Sequence, residues 1–261
     1  MGRALIGGLL RSGTRAELLS VGERLPSARE ALARELGVTA TDDNRAAIAG
    51  AAVVVLAVKP QEAGAVLAPL GSALGAARAV LVSVAAGVRI AALESWSGPG
   101  VAVVRAMPNR PAVIGAGAAG LYAPPTVGAA ARRAAEEVLQ AVGEIAWVPN
   151  EEALDVVTAL SGSGPAYFFL LAELMSEAGR ELGLDGDTAR RLSTATLYGS
   201  GLLARASDGE FARLRAEVTS SGGTTEAATR VLEAAGLREA VRQALAAAAR
   251  RSRELAGASA H

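Results

Sequence analysis

The chain has 261 residues, of which 51% are apolar and only 3% aromatic, and its formal net charge at pH 7 is +0. This composition is typical of a globular protein of one large or two modest domains, with no bulk attraction to nucleic acid or to an anionic membrane. The chain has no cysteine and its one histidine is the last residue, His261, which excludes disulfides, thiolate catalysis, a histidine dyad and a cysteine or histidine metal site.

The chain opens with alternating helix-like and strand-like segments. A helix is predicted over 3–12 and a strand over 17–21. The next helix is predicted to open with a capping box at Ser27 and Glu30 and to end near Gly37. This alternation is the first indication of an α/β fold.

An unbroken apolar run follows over 53–58, and the runs over 79–84 and 101–106 repeat the type, each with one polar residue, Ser83 or Arg105. Such runs are typical of strands that are buried on both faces of a parallel sheet. Helical segments separate them, and repeated strand–helix units predict a doubly wound sheet with ligands at the carboxyl ends of its strands. A strand over 115–122, a helix over 127–141 and a strand over 144–148 complete the predicted domain.

Pro149 and Asn150 mark the predicted boundary between a domain over 1–149 and an all-helical domain over 150–261, with Asn150 placed to cap a helix. Helices are predicted over 151–160, 166–183, 187–206, 209–217, 224–235 and 237–256. The second of them carries an apolar stripe that is interpreted as core: Tyr167, Leu170, Leu171, Leu174, Met175, Ala178 and Leu182. The broad apolar faces of so slight a domain also favour packing against a second copy of the chain.

The segments that follow the three buried strands are rich in small residues and proline. They cover 59–61, 85–87 and 107–111, and the first contains the only lysine of the chain, Lys59. Each is a weak signal alone, since turns between strands and helices often contain Gly or Pro. Three in register favour a nucleotide lying across the strand ends.

The glycine-rich fingerprint of a dinucleotide-binding fold is not intact. It should join the first strand to the first helix, yet the chain opens at Met1-Gly2, already at the start of that helix. If Gly2 is the last glycine of the fingerprint, the first strand and two glycines are missing. Either the natural chain begins upstream, or the pyrophosphate site is incomplete.

A run of small donor residues over 218–225 predicts an anion site. It places five hydroxyl side chains and two adjacent glycines between helical segments, and Thr224-Thr225-Glu226 can open a helix whose free N–H groups favour an anion. A second small-residue stretch lies over 161–165. Either stretch alone would be interpreted as a polar turn; together they suggest a small anionic substrate.

Five motifs in this order give the chain a resemblance to the pyrroline-5-carboxylate reductases that covers nearly its whole length. They are Ala57-Val58-Lys59-Pro60-Gln61, Ser83-Val84-Ala85-Ala86-Gly87-Val88, Arg105-Ala106-Met107-Pro108-Asn109, the tract from Thr158 to Tyr167, and Val218 to Thr225. The resemblance implies reduction of 1-pyrroline-5-carboxylate to L-proline with NADPH, or with NADH. It also implies a Rossmann-like domain, here with its first strand apparently missing, followed by a helical dimerisation domain. Dimers of this family often assemble further into a decamer.

The resemblance also implies which residues border the cofactor. They are Met1, Gly2, Ala57, Val58, Lys59, Pro60, Val84, Ala85, Ala86 and Asn109. Asn44 resembles the asparagine that meets the adenosine ribose, and Arg24 is placed to meet a 2′-phosphate. Since an acidic residue there favours NAD and an arginine favours NADP, the adjacent Glu23 and Arg24 leave the choice between the two cofactors open.

The implied substrate residues are Ser220, Gly222, Gly223, Thr224 and Thr225. In the family pattern the amides of Gly223 and Thr224 meet the carboxylate, and the hydroxyl of Thr225, the implied catalytic residue, meets the ring nitrogen. Two residues depart from the family pattern. Ser221 stands where a proline is usual, and Arg110 stands where a threonine is usual.

Two other interpretations are kept. One is an N-terminally truncated, catalytically impaired homologue that acts mainly as a self-associating protein. The other is a dehydrogenase or imine reductase with a different substrate on the same architecture. In all three cases the sequence predicts a cytoplasmic protein that binds no metal, nucleic acid or membrane.

Overall fold

The computed structural model describes residues 1–258, and His261 lies outside them. The described chain divides into two units. Unit 1 comprises Met1–Ser163 together with the C-terminal segment that begins at Ala247, and unit 2 comprises Gly164–Ala246.

Unit 1 contains two sheets. The strands are β1 (Ser20–Gly22), β2 (Thr39–Thr41), β3 (Val53–Leu56), β4 (Val80–Ser83), β5 (Ala102–Pro108), β6 (Gly117–Tyr122) and β7 (Gly143–Trp147). β1 and β2 form a two-stranded parallel sheet, and the other five form a sheet in the order β3-β4-β5-β6-β7. All neighbours in the larger sheet are parallel except β5 and β6, which are antiparallel.

Helices follow or cover these strands. Those of unit 1 are α1 (Gly2–Arg11), α2 (Pro26–Leu36), α3 (Asn44–Ile48), α4 (Ala63–Leu67), α5 (Gly71–Ala77), α6 (Ile90–Ser97), α7 (Ala129–Gln140) and α8 (Ala153–Val157). Unit 2 contains α9 (Gly164–Glu181), α10 (Gly186–Ala206), α11 (Phe211–Glu217) and α12 (Thr224–Ala234). The last helix, α13 (Leu237–Ala258), begins in unit 2 and ends in unit 1.

The core of unit 1 lies on both faces of the five-stranded sheet. Successive side chains of a strand point to opposite faces, so Leu81 and Val103 belong to one apolar cluster while Val82 and Val104 belong to the other. All four are at most 1% exposed. The runs over 79–84 and 101–106 therefore contain strands that are buried on both faces, as predicted, whereas β3, at the edge of the sheet, is only half-buried over 53–55.

The early part of the chain departs from the prediction in two places. The segment predicted as a strand over 17–21 is a 3-10 turn that ends at Leu18, followed by the short strand β1. The capping box is wrong, because α2 begins at Pro26 and its N-cap Leu25 makes no side-chain cap bond. Proline fits the first helical position since it has no N–H to satisfy there. Gly37 ends α2 in the left-handed conformation, with φ 68°, as expected.

The apolar stripe of α9 is not core within this chain. Leu170, Leu171, Leu174 and Met175 are 47–54% exposed, and Leu182 is 88% exposed. Among the described elements α9 packs mainly against α10, which leaves these side chains uncovered within unit 2. An apolar face of this size is typical of a protein–protein contact, which favours the second half of the prediction, a partner copy.

Length and composition alone would allow one helical stretch of the described chain to cross a membrane. It covers Ala153–Glu181, with a mean hydropathy of 1.3 over the window and 22% of that window buried. It includes the exposed face of α9, and apolar helices of water-soluble proteins meet the same criterion.

Candidate active-site residues

The carboxyl ends of β3 and β4 present small, accessible residues. β3 ends at Leu56, and the next residue, Ala57, is exposed, while Val58 and Pro60 are half-buried. Lys59 is exposed as well and forms no ion pair with any described residue. The strand ends therefore offer small side chains to a ligand, with one exposed cation beside them.

The turn after β4 has the same character. Val84 is half-buried, Ala85 is buried and Ala86 is exposed. The turn closes at Gly87, whose φ of +78° is a conformation that glycine adopts without strain. Because β3 and β4 are parallel neighbours in register, this turn and the Ala57–Pro60 segment lie at the same edge of the sheet.

The start of α1 lies at this edge. A Cβ built on Gly2 would lie only 3.3 Å from the Cβ of Ala57. The N-cap Met1 makes no side-chain cap bond, and the N–H groups of Gly2 and Arg3 donate to no described backbone carbonyl. Free N–H groups at the start of a helix are a binding site for a phosphate.

Arg24 and Asn44 lie around the end of β1. A Cβ on Gly22 would overlap Asn44 Oδ1, so the Asn44 amide packs directly on the strand end. The Arg24 side chain is 84% exposed and is paired only loosely with Glu62, at 3.7 Å. The Glu23 carboxylate turns back onto its own loop, where Oε1 accepts a hydrogen bond from the Leu25 N–H at 2.8 Å. Of these two adjacent side chains, Arg24 is therefore the one that is free to contact a ligand.

Asn109 has a mainly structural environment. Its Oδ1 accepts from the Ala118 N–H at 2.9 Å, and its Nδ2 donates to the Ser161 carbonyl at 2.9 Å. It thus ties the end of β5 to a π-helical turn over Thr158–Gly162, a rare feature that often occurs at functional sites. The Ser161 hydroxyl donates to the Val157 carbonyl of its own helix, so it shapes this turn.

Arg110, the unexpected charge after Asn109, is exposed and lies in the 3-10 turn Arg110–Ile114. It forms no ion pair or side-chain hydrogen bond with any described residue. Nothing in the structure explains the arginine at this position.

In unit 2, a tight turn precedes α12. The Gly223 N–H donates to the Ser220 carbonyl at 3.0 Å, and Gly222 has φ +70°. Ser221 does not have positive φ, so the turn has the type II pattern, with glycine in its third position. A Cβ on Gly223 would overlap Ser220 Oγ, which explains the second glycine.

The turn leaves donors free at the start of α12. Thr224 and Thr225 are the first two helical residues, and their N–H groups have no carbonyl of the helix to bond. Thr224 is exposed and Thr225 half-buried, and neither hydroxyl hydrogen-bonds to a described residue. The Gly223 N–H, by contrast, is already used within the turn.

Glu226 is a residue of this loop that the sequence analysis did not assign. Its Oε2 accepts from the Gly222 N–H at 2.6 Å, which holds the turn against the helix that follows it. The signal was present in the sequence, because Glu at the third helical position often reaches back to a backbone N–H at the helix start.

A largely buried polar cluster in unit 1 was not predicted from the sequence. It consists of Arg89, Arg105, Glu151, Asp155 and Ser252. Arg105 opens the third motif, but no motif marks the other four residues, which only the fold brings together with it.

The residues of unit 1 fit a dinucleotide. Ala57, Ala86 and Gly2 leave the sheet edge open to a flat ligand, and the uncapped start of α1 offers free amides for a phosphate. Arg24 adds an exposed cation beside Asn44. The predicted cofactor residues all lie in unit 1, while the predicted substrate residues all lie in unit 2.

Two family models match parts of this chain. A family model described as "Pyrroline-5-carboxylate reductase dimerisation" matches residues 151–255, and one described as "NADP oxidoreductase coenzyme F420-dependent" matches residues 1–87. The fold and the site thus define an NAD(P)-dependent oxidoreductase with a separate dimerisation domain.

Individual relatives narrow this class. A pyrroline-5-carboxylate reductase of Pseudomonas aeruginosa is 46% identical over 256 residues, covering 98% of this chain and 93% of the relative. The structure of a pyrroline-5-carboxylate reductase from Coxiella burnetii is 40% identical, with a TM-score of 0.94 over 97% of this chain and 94% of that one. A Plasmodium falciparum pyrroline carboxylate reductase with NADP bound is 27% identical, with a TM-score of 0.81 over 98% and 94%. The chain belongs to the pyrroline-5-carboxylate reductase family.

Proposed function

We propose that the protein catalyses the NAD(P)H-dependent reduction of 1-pyrroline-5-carboxylate to L-proline, the last step of proline biosynthesis. The observation that carries the proposal is the open start of α12, where two amides and two hydroxyls have no partner among the described residues. Such a helix start can hold a carboxylate together with the ring nitrogen next to the carbon that bears it.

Each donor of this helix start has a role in the proposal. The N–H groups of Thr224 and Thr225 bind the substrate carboxylate, because the Gly223 N–H is already donated to Ser220. The Thr225 hydroxyl donates to or accepts from the ring nitrogen, orienting the imine and relaying its proton. Ser220, Gly222 and Gly223 fix the turn that presents these donors.

The chemistry requires little further help from side chains. A bound nicotinamide supplies the hydride, and a cyclic imine protonates readily, so orientation matters more than a strong acid or base. The chain supplies that orientation with rigid backbone and hydroxyl donors. Its lack of cysteine, and of histidine other than His261, is consistent with this chemistry.

For the cofactor, we propose that NADPH is preferred and that NADH is also used. The proposed binding residues are Met1, Gly2, Arg24, Asn44, Ala57, Val58, Lys59, Pro60, Val84, Ala85, Ala86 and Asn109. Arg24 meets the 2′-phosphate, since the neighbouring Glu23 carboxylate is held by the Leu25 N–H and turned back onto its own loop.

The protein self-associates, and its substrate is a small molecule. We propose that residues 150–261 carry both dimerisation and substrate binding, that residues 1–149 bind the dinucleotide, and that the exposed face of α9 is part of the contact. A decamer built from dimers, a cytoplasmic location, and the lack of nucleic-acid, membrane and metal partners belong to the same proposal.

Turnover of the purified chain tests the reaction. We expect oxidation of NADPH that depends on 1-pyrroline-5-carboxylate and forms an equal amount of L-proline. The matched comparison is 1-pyrroline, which has the imine but no carboxylate, and kcat/KM should be about 10–100-fold lower for it because one or two charge-assisted hydrogen bonds are lost. Equal kcat/KM for the two rings would refute the role of the α12 amides, and no turnover of either would refute the reaction.

Arg24→Ala tests the cofactor preference. The kcat/KM for NADPH should fall about tenfold, the worth of one charge-assisted contact to a phosphate, while that for NADH stays within about twofold. Arg110→Ala is the control, as an exposed arginine outside the predicted cofactor set. Parallel losses with both cofactors in Arg24→Ala would contradict a contact with the 2′-phosphate.

A further inference from the structure

The turn after β4 is anchored by buried charges at the point where it enters α6. Arg89, the N-cap of α6, donates from Nη2 to Asp155 Oδ2 at 2.7 Å. The next residue, Ile90, donates its N–H to Glu151 Oε1 at 2.8 Å. The end of the Val84–Val88 turn is therefore held by two carboxylates from the segment around α8.

Both carboxylates are themselves held by the protein. Glu151 Oε1 also accepts from Arg105 Nη1 of β5 at 2.8 Å, and Arg105 is only 4% exposed. Burial lowers the pKa of the Arg105 guanidinium, while its ion pair with Glu151 opposes that shift. Asp155 is 0% exposed, so its two oxygens depend entirely on protein partners.

The second oxygen of Asp155 is bound by the C-terminal helix. The Ser252 hydroxyl of α13 donates to Asp155 Oδ1 at 2.7 Å, and Ser252 is itself 8% exposed. One turn further on, Ala256 is 4% exposed, and a Cβ built on Gly87 would lie 3.5 Å from its backbone nitrogen and Cα. The last turns of α13 thus lie against the backbone of the turn and are linked to its anchor through one hydroxyl.

We propose that Ser252 is a positioning residue for the cofactor. Through Asp155 it fixes Arg89, and with the close approach of α13 to Gly87 it holds the Val84–Val88 turn in the shape that borders the dinucleotide. The inference rests on the proposed function for the identity of the ligand, but it concerns an α13 residue that is outside the predicted cofactor set. Ser252 acts through Asp155 and Arg89, not by touching the ligand.

The test is NADPH binding by isothermal titration calorimetry in the absence of the imine, for the full chain and for Ser252→Ala. We expect Kd to rise about 3–10-fold, the effect of losing one buried hydrogen bond that holds the turn. The KM for 1-pyrroline-5-carboxylate should change less than twofold. Ser252→Thr, which keeps the hydroxyl, should bind NADPH within about twofold of the parent chain.

Two controls separate positioning from general stability. Ser95→Ala removes an exposed α6 hydroxyl that donates to the Ala92 carbonyl and should leave Kd unchanged. Arg89→Ala combined with Ser252→Ala should weaken binding no more than Arg89→Ala alone, because both residues act through Asp155. A lower Tm with unchanged Kd, additive effects in the double variant, or a larger change in the imine KM than in Kd would each overturn the inference.

The outcome is distinguishable from a failure of the proposed function. A chain that binds NADPH but does not reduce the imine would refute the substrate and leave the comparison of Kd values intact. A chain that binds neither NADPH nor NADH would overturn the inference together with the cofactor assignment.

Discussion

The sheet edge of unit 1 and the helix start of unit 2 hold their functional atoms by different means. At the sheet edge, Ala57 and Ala86 follow strands whose side chains are packed on both faces, and buried ion pairs fix the turn after β4. At the helix start, an exposed turn depends on one positive φ angle and on hydrogen bonds between residues at most four apart. The first region is held in place by the packed core of unit 1, and the second by the hydrogen bonds and backbone conformation of the turn itself.

This difference predicts where mutations act. Changes in the buried frame of unit 1 should lower the stability of the whole unit, since buried groups lose their partners without access to water. Changes in the exposed turn of unit 2 should alter substrate binding with little effect on unfolding, because water replaces the lost contacts.

Asp155→Ala should be the most damaging of these variants. The substitution removes the partner of the Arg89 guanidinium and of the Ser252 hydroxyl, at a position that is 0% exposed. Breaking a buried ion pair lowers the free energy of unfolding by about 3–5 kcal/mol. Urea unfolding at a fixed protein concentration measures it. Asp187→Ala is the control, since its exposed pair with Arg190 on α10 contributes at most about 1 kcal/mol. Similar losses in the two variants would contradict a frame held by buried charges.

Gly222→Ala should raise the KM for 1-pyrroline-5-carboxylate about 5–30-fold. A non-glycine residue at φ +70° costs about 1–2 kcal/mol, so the exposed turn should relax away from this conformation in the free protein and must regain it to bind the substrate. No described atom lies within 4 Å of the added methyl group, so the cost comes from the backbone alone. Gly236→Ala is the matched control. It has φ +80° and equally open surroundings, but lies after α12. If both variants raise KM equally, the turn before α12 has no special role in binding the substrate.

Ser221→Pro should have the smallest effect, and a favourable one. Proline is preferred at the second position of a type II turn, and the Ser221 N–H donates to no described backbone carbonyl. Restricting the unfolded chain should stabilise unit 2 by about 0.4–1 kcal/mol, as read from urea unfolding, with kcat/KM equal to or above that of the parent. A destabilised or inactive variant would show that the turn is not of type II.

The sequence predicted most of the helices and strands, but not all of the short strands or the surroundings of the α9 stripe. The runs of β3, β4 and β5 predicted strands, because near-continuous apolar runs of this length are typical of strands in a parallel sheet that is covered on both faces. β2 was missed, since Thr39–Thr41 is too short and too polar to show a pattern. The α9 stripe was interpreted as core because helical spacing of apolar residues does not tell an intramolecular partner from a second copy.

The residues of the candidate site were likewise only partly predictable from the sequence. Segments with unusual local composition, such as 218–225 and 85–87, could be recognised from the sequence. Arg89, Asp155 and Ser252 could not, since their chemistry comes from being brought together across 163 residues of chain rather than from any local pattern. The roles assigned to Thr225 and to the cofactor residues stay predictions.

The most direct test of the account is kcat/KM for 1-pyrroline-5-carboxylate in Thr225→Ala, with Thr225→Ser and Thr229→Ala beside it. Thr225→Ala should lower kcat/KM roughly 5–150-fold, which corresponds to a loss of about 1–3 kcal/mol of transition-state stabilisation from one positioned hydrogen bond. Thr225→Ser keeps the hydroxyl and should recover most of the loss, and Thr229→Ala, whose hydroxyl donates to the Thr225 and Glu226 carbonyls, should lose little. The oligomer should survive in all three. An unchanged kcat/KM in Thr225→Ala would show that the start of α12 does not hold the reacting imine.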